Sequence, residues 1–218
     1  MTEPAKLLAV FVVDAVSGLG KIWIGIDPGG VGNFGLAILK ADGSCHACSV
    51  DYVDAAIDII RKYVRSIPVG VGVDAPLWWC SGSAGLRKAD QWIRDEYSLP
   101  NRNVQAVNSL WGSVLAKGMM FVVRIREVFP DVGVTETHPK AVLKALSREI
   151  WESYFEAMPT DVALDCKPDH RRDAVISAVA AREGFEGRWK KDLIDNRYPS
   201  EQNPSTHWLA PVHYFWPA

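Results

Sequence analysis

The sequence predicts an α/β domain with a mixed five-stranded sheet, in which an antiparallel meander is followed by parallel strands and helices flank the sheet. Three stretches support this. Ile22–Leu39 consists of two apolar runs joined by a glycine-rich turn, which is typical of a β-hairpin. Asp54–Ile67 has the apolar spacing of an amphipathic helix, and the short apolar strand Val69–Asp74 follows it. A crossover of this kind places the new strand parallel to an earlier one.

Length and composition fit a single globular domain. The 218 residues are 48% hydrophobic and 23% charged, with a net charge of −2. This balance disfavours tight, non-specific binding to nucleic acid or to acidic membranes. We expect one domain over 1–218, with its core over about 22–183, an N-terminal arm over 1–21 and an irregular C-terminal tail over 184–218.

Export and redox activity are not expected from the sequence. The apolar run Leu7–Val13 is short and is followed at once by Asp14, so an extra edge strand or a packed arm is favoured over a signal peptide. Cys45 and Cys48 form a CxxC, but residues three apart in a strand point to opposite faces. We therefore expect reduced cysteines and a cytoplasmic location. No apolar run is long enough to span a bilayer.

The elements of the first half follow from apolar spacing and breakers. Cys45–Tyr52 is predicted as the third strand of the meander, and the amphipathic helix after it is expected to end at Pro68. A polar, charged stretch then contains a short helix over Leu86–Tyr97. A longer helix is predicted over Asn108–Val128, although two glycines weaken its continuity.

The second half is predicted to contain one more strand and two helices. The strand is Asp131–Thr137, and the helix Pro139–Ile150 follows because proline suits a first helical turn. Trp151–Pro168 is expected to be irregular. The last helix is Asp169–Glu183, with its first residue as the N-cap and Gly184 past its end. Its small residues would let it lie close against the sheet.

Four acidic residues lie at or near the ends of these elements. Asp27 ends the first strand, Asp74 ends the buried parallel strand, Glu136 lies in the last strand, and Asp173 stands near the start of the last helix. The carboxyl ends of parallel strands share an edge of the sheet, where ligands collect. Crowded carboxylates repel unless cations neutralise them, and oxygen-rich clusters suit Mg²⁺ or Mn²⁺. Two such ions about 4 Å apart can promote phosphodiester hydrolysis.

Several of these residues and their neighbours also have a structural interpretation. The amides of its own glycine-rich turn could satisfy Asp27, and Glu136 could cap the next helix. Asp169 and His170 share a helical face with Asp173, but Asp169 is the natural N-cap and a histidine near a helix start is often solvated. The sequence alone leaves these alternatives open.

The arrangement resembles the ribonuclease H-like superfamily. The strand-end Asp27 in GIDPGG, the strand-end Asp74 in GVGVDAP, and the His170-x-x-Asp173 pair that leads into DAVISAVAA resemble the Holliday-junction-resolvase branch. The chain thus resembles proteins with a three-layer fold in which helices cover both faces of a mixed five-stranded sheet.

A narrower resemblance is to the family of predicted RNase H-like nucleases called domain of unknown function 429. That family's strand-end Asp-x-Pro is similar to Asp74–Pro76, and its Gly-x-Arg-x-x-Asp segment is similar to Gly85–Asp90. Its late Glu-x-x-Pro resembles Glu136–Pro139, and its Asp-Ala helix start resembles Asp173 with the alanine after it. The resemblance covers Ile22–Arg182.

The resemblance implies a divalent-metal-dependent nuclease that hydrolyses phosphodiester bonds of DNA or RNA. It implies Asp27, Asp74 and Asp173 as ligands of Mg²⁺ or Mn²⁺, with two ions expected. Glu136 would be a fourth catalytic acid, and His170 would orient a water or substitute for a ligand. A homodimer is left open.

Contacts with a nucleic-acid substrate are expected from the segment after Asp74. Arg87, Lys88 and Arg94, with Arg102 nearby, would contact phosphates, and Trp78 would stack on a base. The structural alternatives are solvated charges and a tryptophan in the core.

Two other functions compete with the nuclease. The first is a non-catalytic module of the same fold that binds nucleic acid or a protein partner, which the slightly acidic charge favours. The second is a phosphoryl-transfer enzyme similar to sugar kinases and actin, but that class needs two such domains. The complete acidic set favours catalysis, although fold alone does not decide function.

Overall fold

A computed structural model describes residues 20–217, apart from 81–84, 102 and 108–111. Among the described residues, five strands form one sheet in the order β3-β2-β1-β4-β5. The strands are β1 (Ile22–Pro28), β2 (Phe34–Lys40), β3 (Cys45–Val50), β4 (Gly70–Val73) and β5 (Gly133–Glu136). The pairs β1–β2 and β2–β3 are antiparallel, whereas β1–β4 and β4–β5 are parallel. The prediction of an α/β fold with a mixed five-stranded sheet is confirmed.

Helices lie on both faces of this sheet. The described helices are α1 (Val53–Tyr63), α2 (Lys88–Glu96), α3 (Gly112–Val128), α4 (Pro139–Ala145), α5 (Ser147–Ala157) and α6 (His170–Phe185). Helix α6 packs against Gly72 of β4, while Gly118 of α3 packs against Val73. Because successive strand residues point to opposite faces, α6 and α3 cover opposite sides, and the sheet is the middle layer of three.

Helix α6 lies directly against the sheet because glycines face it. A Cβ on Gly25 would come within 2.0 Å of the Ala174 carbonyl oxygen, and one on Gly72 within 2.0 Å of the Ser177 carbonyl oxygen. The small helix face and the side-chain-free strand positions therefore match each other, as the sequence predicts. This close approach holds the first turn of α6 over the edge of β1.

Two helix boundaries differ from the prediction. Helix α1 ends at Tyr63, short of Ile67, and the chain is already extended at Val64. The predicted last residue, Ile67, precedes Pro68 and is therefore disfavoured in the helical region. The helix predicted over Pro139–Ile150 is interrupted after Ala145, where Ser147 has a φ of 60°. A new helix, α5, then occupies the first part of the segment expected to be irregular, because its buried Trp151 and Phe155 pack on the core.

The end of α6 also differs from the prediction. Gly184 lies inside the helix, which continues to Phe185. The glycine at this position is required by packing, because a Cβ would come within 2.0 Å of the Phe215 ring. The left-handed residue that follows the helix is Gly187, with a φ of 73°.

The chain after α6 packs back on the core. Strand β6 (Lys191–Asp192) pairs with β7 (Phe215–Trp216) in a small antiparallel sheet. Turns and short 3₁₀ helices fill most of the chain between them, and Tyr214 and Trp216 are fully buried. The tail thus completes the core at the end of β5, where His213 bridges to Thr135.

Several expectations fall on chain that the structure leaves undescribed. The predicted arm with Leu7–Val13, the start of the predicted helix at 108–111, and Arg102 all lie outside the described residues. The four cysteines are free thiols, as predicted, and burial raises the pKa of Cys45 to about 12. Among the described helices, none has both the length and the apolar character needed to cross a membrane.

Candidate metal centre

Three aspartates converge at the carboxyl edge of the sheet. Ile26 of β1 stands opposite Val73 of the parallel strand β4, so the residues after them, Asp27 and Asp74, lie side by side. Helix α6 crosses this edge and adds Asp173 from its first turn. One carboxylate oxygen from each aspartate lies within 4.8 Å of the other two. The predicted convergence of these three residues is confirmed.

The turn after β1 leaves the Asp27 carboxylate available. The Gly29 amide donates to the backbone carbonyl of Asp27 at 2.8 Å, whereas Oδ2 of Asp27 lies 2.7 Å from Nδ1 of His170. Among the described residues, the glycine amides of the turn therefore do not bind the Asp27 carboxylate, and the structural alternative for Asp27 is not realised. The hydrogen bond with Asp27 raises the pKa of His170, although partial burial opposes it.

The electrostatics of this cluster call for a cation. Burial, and then the charges of Asp27 and Asp173, raise the pKa of Asp74 well above its usual value. Asp173 is fully buried, and its pKa is also raised by burial, with Arg172 opposing the rise. Oδ1 of Asp173 accepts two bonds from Arg172, at 2.8 and 2.6 Å, while its buried Oδ2 accepts none from the described residues. A buried oxygen without a hydrogen-bond donor costs stability. The Nζ of Lys140 approaches this oxygen at 3.6 Å, as an ion pair only.

The donor set fits a hard divalent ion. Three carboxylate oxygens at one point are the ligands that Mg²⁺, Mn²⁺ or Ca²⁺ prefer, and no soft ligand stands among them. Asp27, Asp74 and Asp173 would hold the ion.

Basic side chains border the acidic centre. Arg172 binds both Asp169 and Asp173, and the Nζ of Lys140 lies 3.2 Å from Oδ2 of Asp169. Asp169 occupies the N-cap position, as predicted, but its backbone is helical and its side chain caps no amide. Its carboxylate instead pairs with these two cations.

Lys140 was not among the residues singled out in the sequence. It is the second residue of α4, which begins three residues after β5 ends. Because β5 is parallel to β4, the chain leaves it at the same edge as Asp74. A lysine four residues after a parallel strand is the signal that could have pointed to this contact.

Glu136 belongs to a different cluster. Its Oε2 accepts from Arg87 Nη1 at 2.7 Å and from the Leu77 amide at 2.9 Å, and its Oε1 accepts from Arg87 Nη2 at 2.5 Å. Burial raises the pKa of Glu136 to about 7 even though Arg87 opposes the rise. The expected fourth acid is therefore engaged by a buried guanidinium and does not join the three aspartates.

Arg87 and Trp78 lie in the core, contrary to the expectation that they contact substrate. Arg87 is 1% exposed, and it also forms two bonds of 2.8 Å with Asp90. Its guanidinium lies 4.0 Å from the centre of the Trp78 ring, and the indole donates to Glu201 at 3.0 Å. Trp78 is fully buried, so neither side chain can reach a phosphate or a base.

Lys88 and Arg94 are only partly buried. Nζ of Lys88 lies 5.9 Å from the Tyr198 ring centre, and Arg94 donates to the Val104 carbonyl at 2.6 Å. Arg94 lines an open polar groove of about 430 Å³ with Asp95 and Asn101. Their predicted contact with phosphates stays a prediction.

No protein-family model, curated protein or solved structure matches this chain. The resemblance to RNase H-like nucleases stays a prediction, and the function is argued below from the geometry of the site.

Proposed function

We propose that the protein is a divalent-metal-dependent nuclease that hydrolyses phosphodiester bonds of DNA or RNA. The observation that carries this proposal is the convergence of Asp27, Asp74 and Asp173 at the carboxyl edge of parallel strands, where the buried Oδ2 of Asp173 accepts no hydrogen bond from the described residues. Ligand sites of α/β sheets form at this edge. The three carboxylates would bind Mg²⁺ or Mn²⁺, which supplies a Lewis acid for a phosphodiester when bound.

His170 is the residue placed to move a proton in this site. Its Nδ1 is engaged by Asp27, so the ring is oriented and Nε2 is the nitrogen that can exchange a proton with water or substrate. The imidazole is partly exposed, which gives it access to a molecule entering from solvent. Asp27 therefore both contributes to the acidic centre and fixes the ring of His170.

A second candidate is the non-catalytic module that binds nucleic acid or a protein partner. The burial of Arg87 and Trp78 favours the protein-binding form of this module, because it removes two contacts that were expected with nucleic acid. This alternative does not explain why three carboxylates converge at one point.

Cleavage of a panel of labelled nucleic acids separates the two candidates. Single-stranded, duplex, hybrid and branched substrates are incubated with Mg²⁺, Mn²⁺ or EDTA, beside the double variant Asp27→Asn, Asp173→Asn. We expect cleavage only with metal, and a loss of at least about 10³-fold in the double variant because the charges that bind the ion are gone. Asp58→Asn, on the exposed face of α1, is the matched control and is expected to cleave normally.

The opposite results are equally informative. Cleavage that persists in EDTA or in the double variant would place any activity outside this centre. The absence of cleavage on every substrate, together with no metal binding by calorimetry, would leave the non-catalytic module as the function.

A further inference from the structure

Lys140 places a positive charge at the edge of the acidic centre. Its Nζ lies 3.2 Å from Oδ2 of Asp169 and 3.6 Å from Oδ2 of Asp173. The side chain is 57% exposed, so it reaches the partly exposed Asp169 and the buried Asp173 from solvent. The position is distinct from that of Arg172, which is largely buried and approaches Asp173 at its other oxygen.

Asp173 has one oxygen left for an ion. Its Oδ1 is held by two bonds from Arg172, which also binds Asp169, so this side of the carboxylate is fixed. Its Oδ2 is buried and accepts no hydrogen bond from the described residues. Two divalent ions about 4 Å apart repel each other and need more carboxylate oxygens between them than one ion does.

The charges of the centre balance with one divalent ion. When ionised, Asp27, Asp74, Asp169 and Asp173 carry four negative charges, and the permanent cations in contact with them are Arg172 and Lys140. Two negative charges remain. His170 reduces them further when it is protonated. A second divalent ion would give the centre a net positive charge.

The spacing of the aspartates agrees with a single ion. An octahedral Mg²⁺ with bonds of about 2.1 Å separates its ligand atoms by about 3 to 4 Å. The three carboxylate oxygens lie within 4.8 Å of one another, which requires only a small contraction when an ion binds.

We propose that this centre binds one divalent ion and that Lys140 occupies the second cationic position. The inference rests on the proposed function and changes the expected number of ions from two to one. The charge of Lys140 neutralises Asp169 and Oδ2 of Asp173. A second divalent ion at this position would therefore gain little binding free energy.

The number of bound Mn²⁺ ions tests this inference. The signal of free Mn²⁺ in electron paramagnetic resonance is followed as the metal is added to the wild-type protein, to Lys140→Gln and to Lys144→Gln. Lys144 is an exposed lysine of the same helix and serves as the control. We expect one ion in the wild type and in Lys144→Gln, and two in Lys140→Gln. The first ion should bind about tenfold more tightly in Lys140→Gln because one repelling charge is gone.

The outcomes separate this inference from the nuclease proposal. Two ions in the wild-type protein would overturn the inference and leave the nuclease proposal standing. One ion with unchanged affinity in Lys140→Gln would show that Lys140 does not hold the second position. No bound ion in the wild type would overturn both.

Discussion

Asp74→Asn is expected to abolish metal-dependent cleavage and, at the same time, to stabilise the metal-free protein. Asparagine keeps the shape of the side chain but removes a charge that faces Asp27 and Asp173. Cleavage should fall by about 10²–10³-fold, the scale for removing one group that stabilises a transition state. The free energy of unfolding without metal should rise by about 1 kcal/mol, because a repelling charge is gone.

The pH dependence of this stabilisation follows from the raised pKa of Asp74. A carboxyl whose pKa is higher in the folded protein than in the unfolded chain loses stability as the pH rises from the unfolded value to the folded one. At neutral pH Asp74 therefore weakens the metal-free fold, and Asn removes this weakness. Toward the unfolded value of 3.8, where Asp74 is protonated in the folded protein, the advantage of Asn should disappear.

Urea unfolding in EDTA at several pH values measures the effect. Asp58→Asn is the control, because its carboxylate is exposed and should change the free energy of unfolding by less than about 0.5 kcal/mol. A metal-free Asp74→Asn protein that is less stable than the wild type at neutral pH would contradict the repulsion described here.

Arg87→Met is expected to cost about 3–5 kcal/mol of unfolding free energy, the range for breaking a buried ion pair from one side. The substitution leaves Asp90 and Glu136 in the core without their shared guanidinium. It also removes the cation that lies over the Trp78 ring. Methionine fills a similar volume, so lost charge pairing is the main cause of the loss.

Urea unfolding followed by tryptophan fluorescence measures this cost. The control is Arg94→Met, which lies two turns farther along α2 and loses one bond to the Val104 carbonyl, worth about 1 kcal/mol. A triple variant that also replaces Asp90 and Glu136 with apolar residues should regain most of the stability, since no unpaired charge remains. Equal losses of unfolding free energy in Arg87→Met and Arg94→Met would contradict the claim that the buried ion pairs of Arg87 stabilise the fold.

This cluster gives the Gly-x-Arg-x-x-Asp segment a structural role. Glu136 binds Arg87 and also the Leu77 amide, three residues after Asp74. Glu201 of the tail accepts from the Trp78 indole and from the Lys88 amide. Leu77, Trp78 and Lys88, which follow the acidic centre, are thus held from β5 on one side and from the tail on the other.

The acidic centre could be predicted because its position follows from topology. Asp27 and Asp74 end neighbouring parallel strands, and the small residues of α6 specify how closely Asp173 approaches them. Both features are visible in local sequence. The rule that parallel strands end at one edge also placed Glu136 there. It could not show that the Glu136 carboxylate is already bound by Arg87.

Long-range partners explain what the sequence did not reveal. Arg87 stands in a charged stretch, and nothing local shows that a glutamate 49 residues later neutralises it in the core. The tail, rich in tryptophan and proline, contributes the buried Trp216, which contacts Tyr97 from a distant part of the chain. Local spacing identifies elements, whereas the partners of buried polar groups depend on the assembled fold.

The most direct test of the metal centre is anomalous diffraction from crystals grown with Mn²⁺. We predict an anomalous peak bound by carboxylate oxygens of Asp27, Asp74 and Asp173, at bond lengths of about 2.1–2.2 Å. Asp27→Asn, Asp173→Asn crystals should lack this peak. A wild-type crystal saturated with Mn²⁺ that shows no density between these three carboxylates would contradict the account.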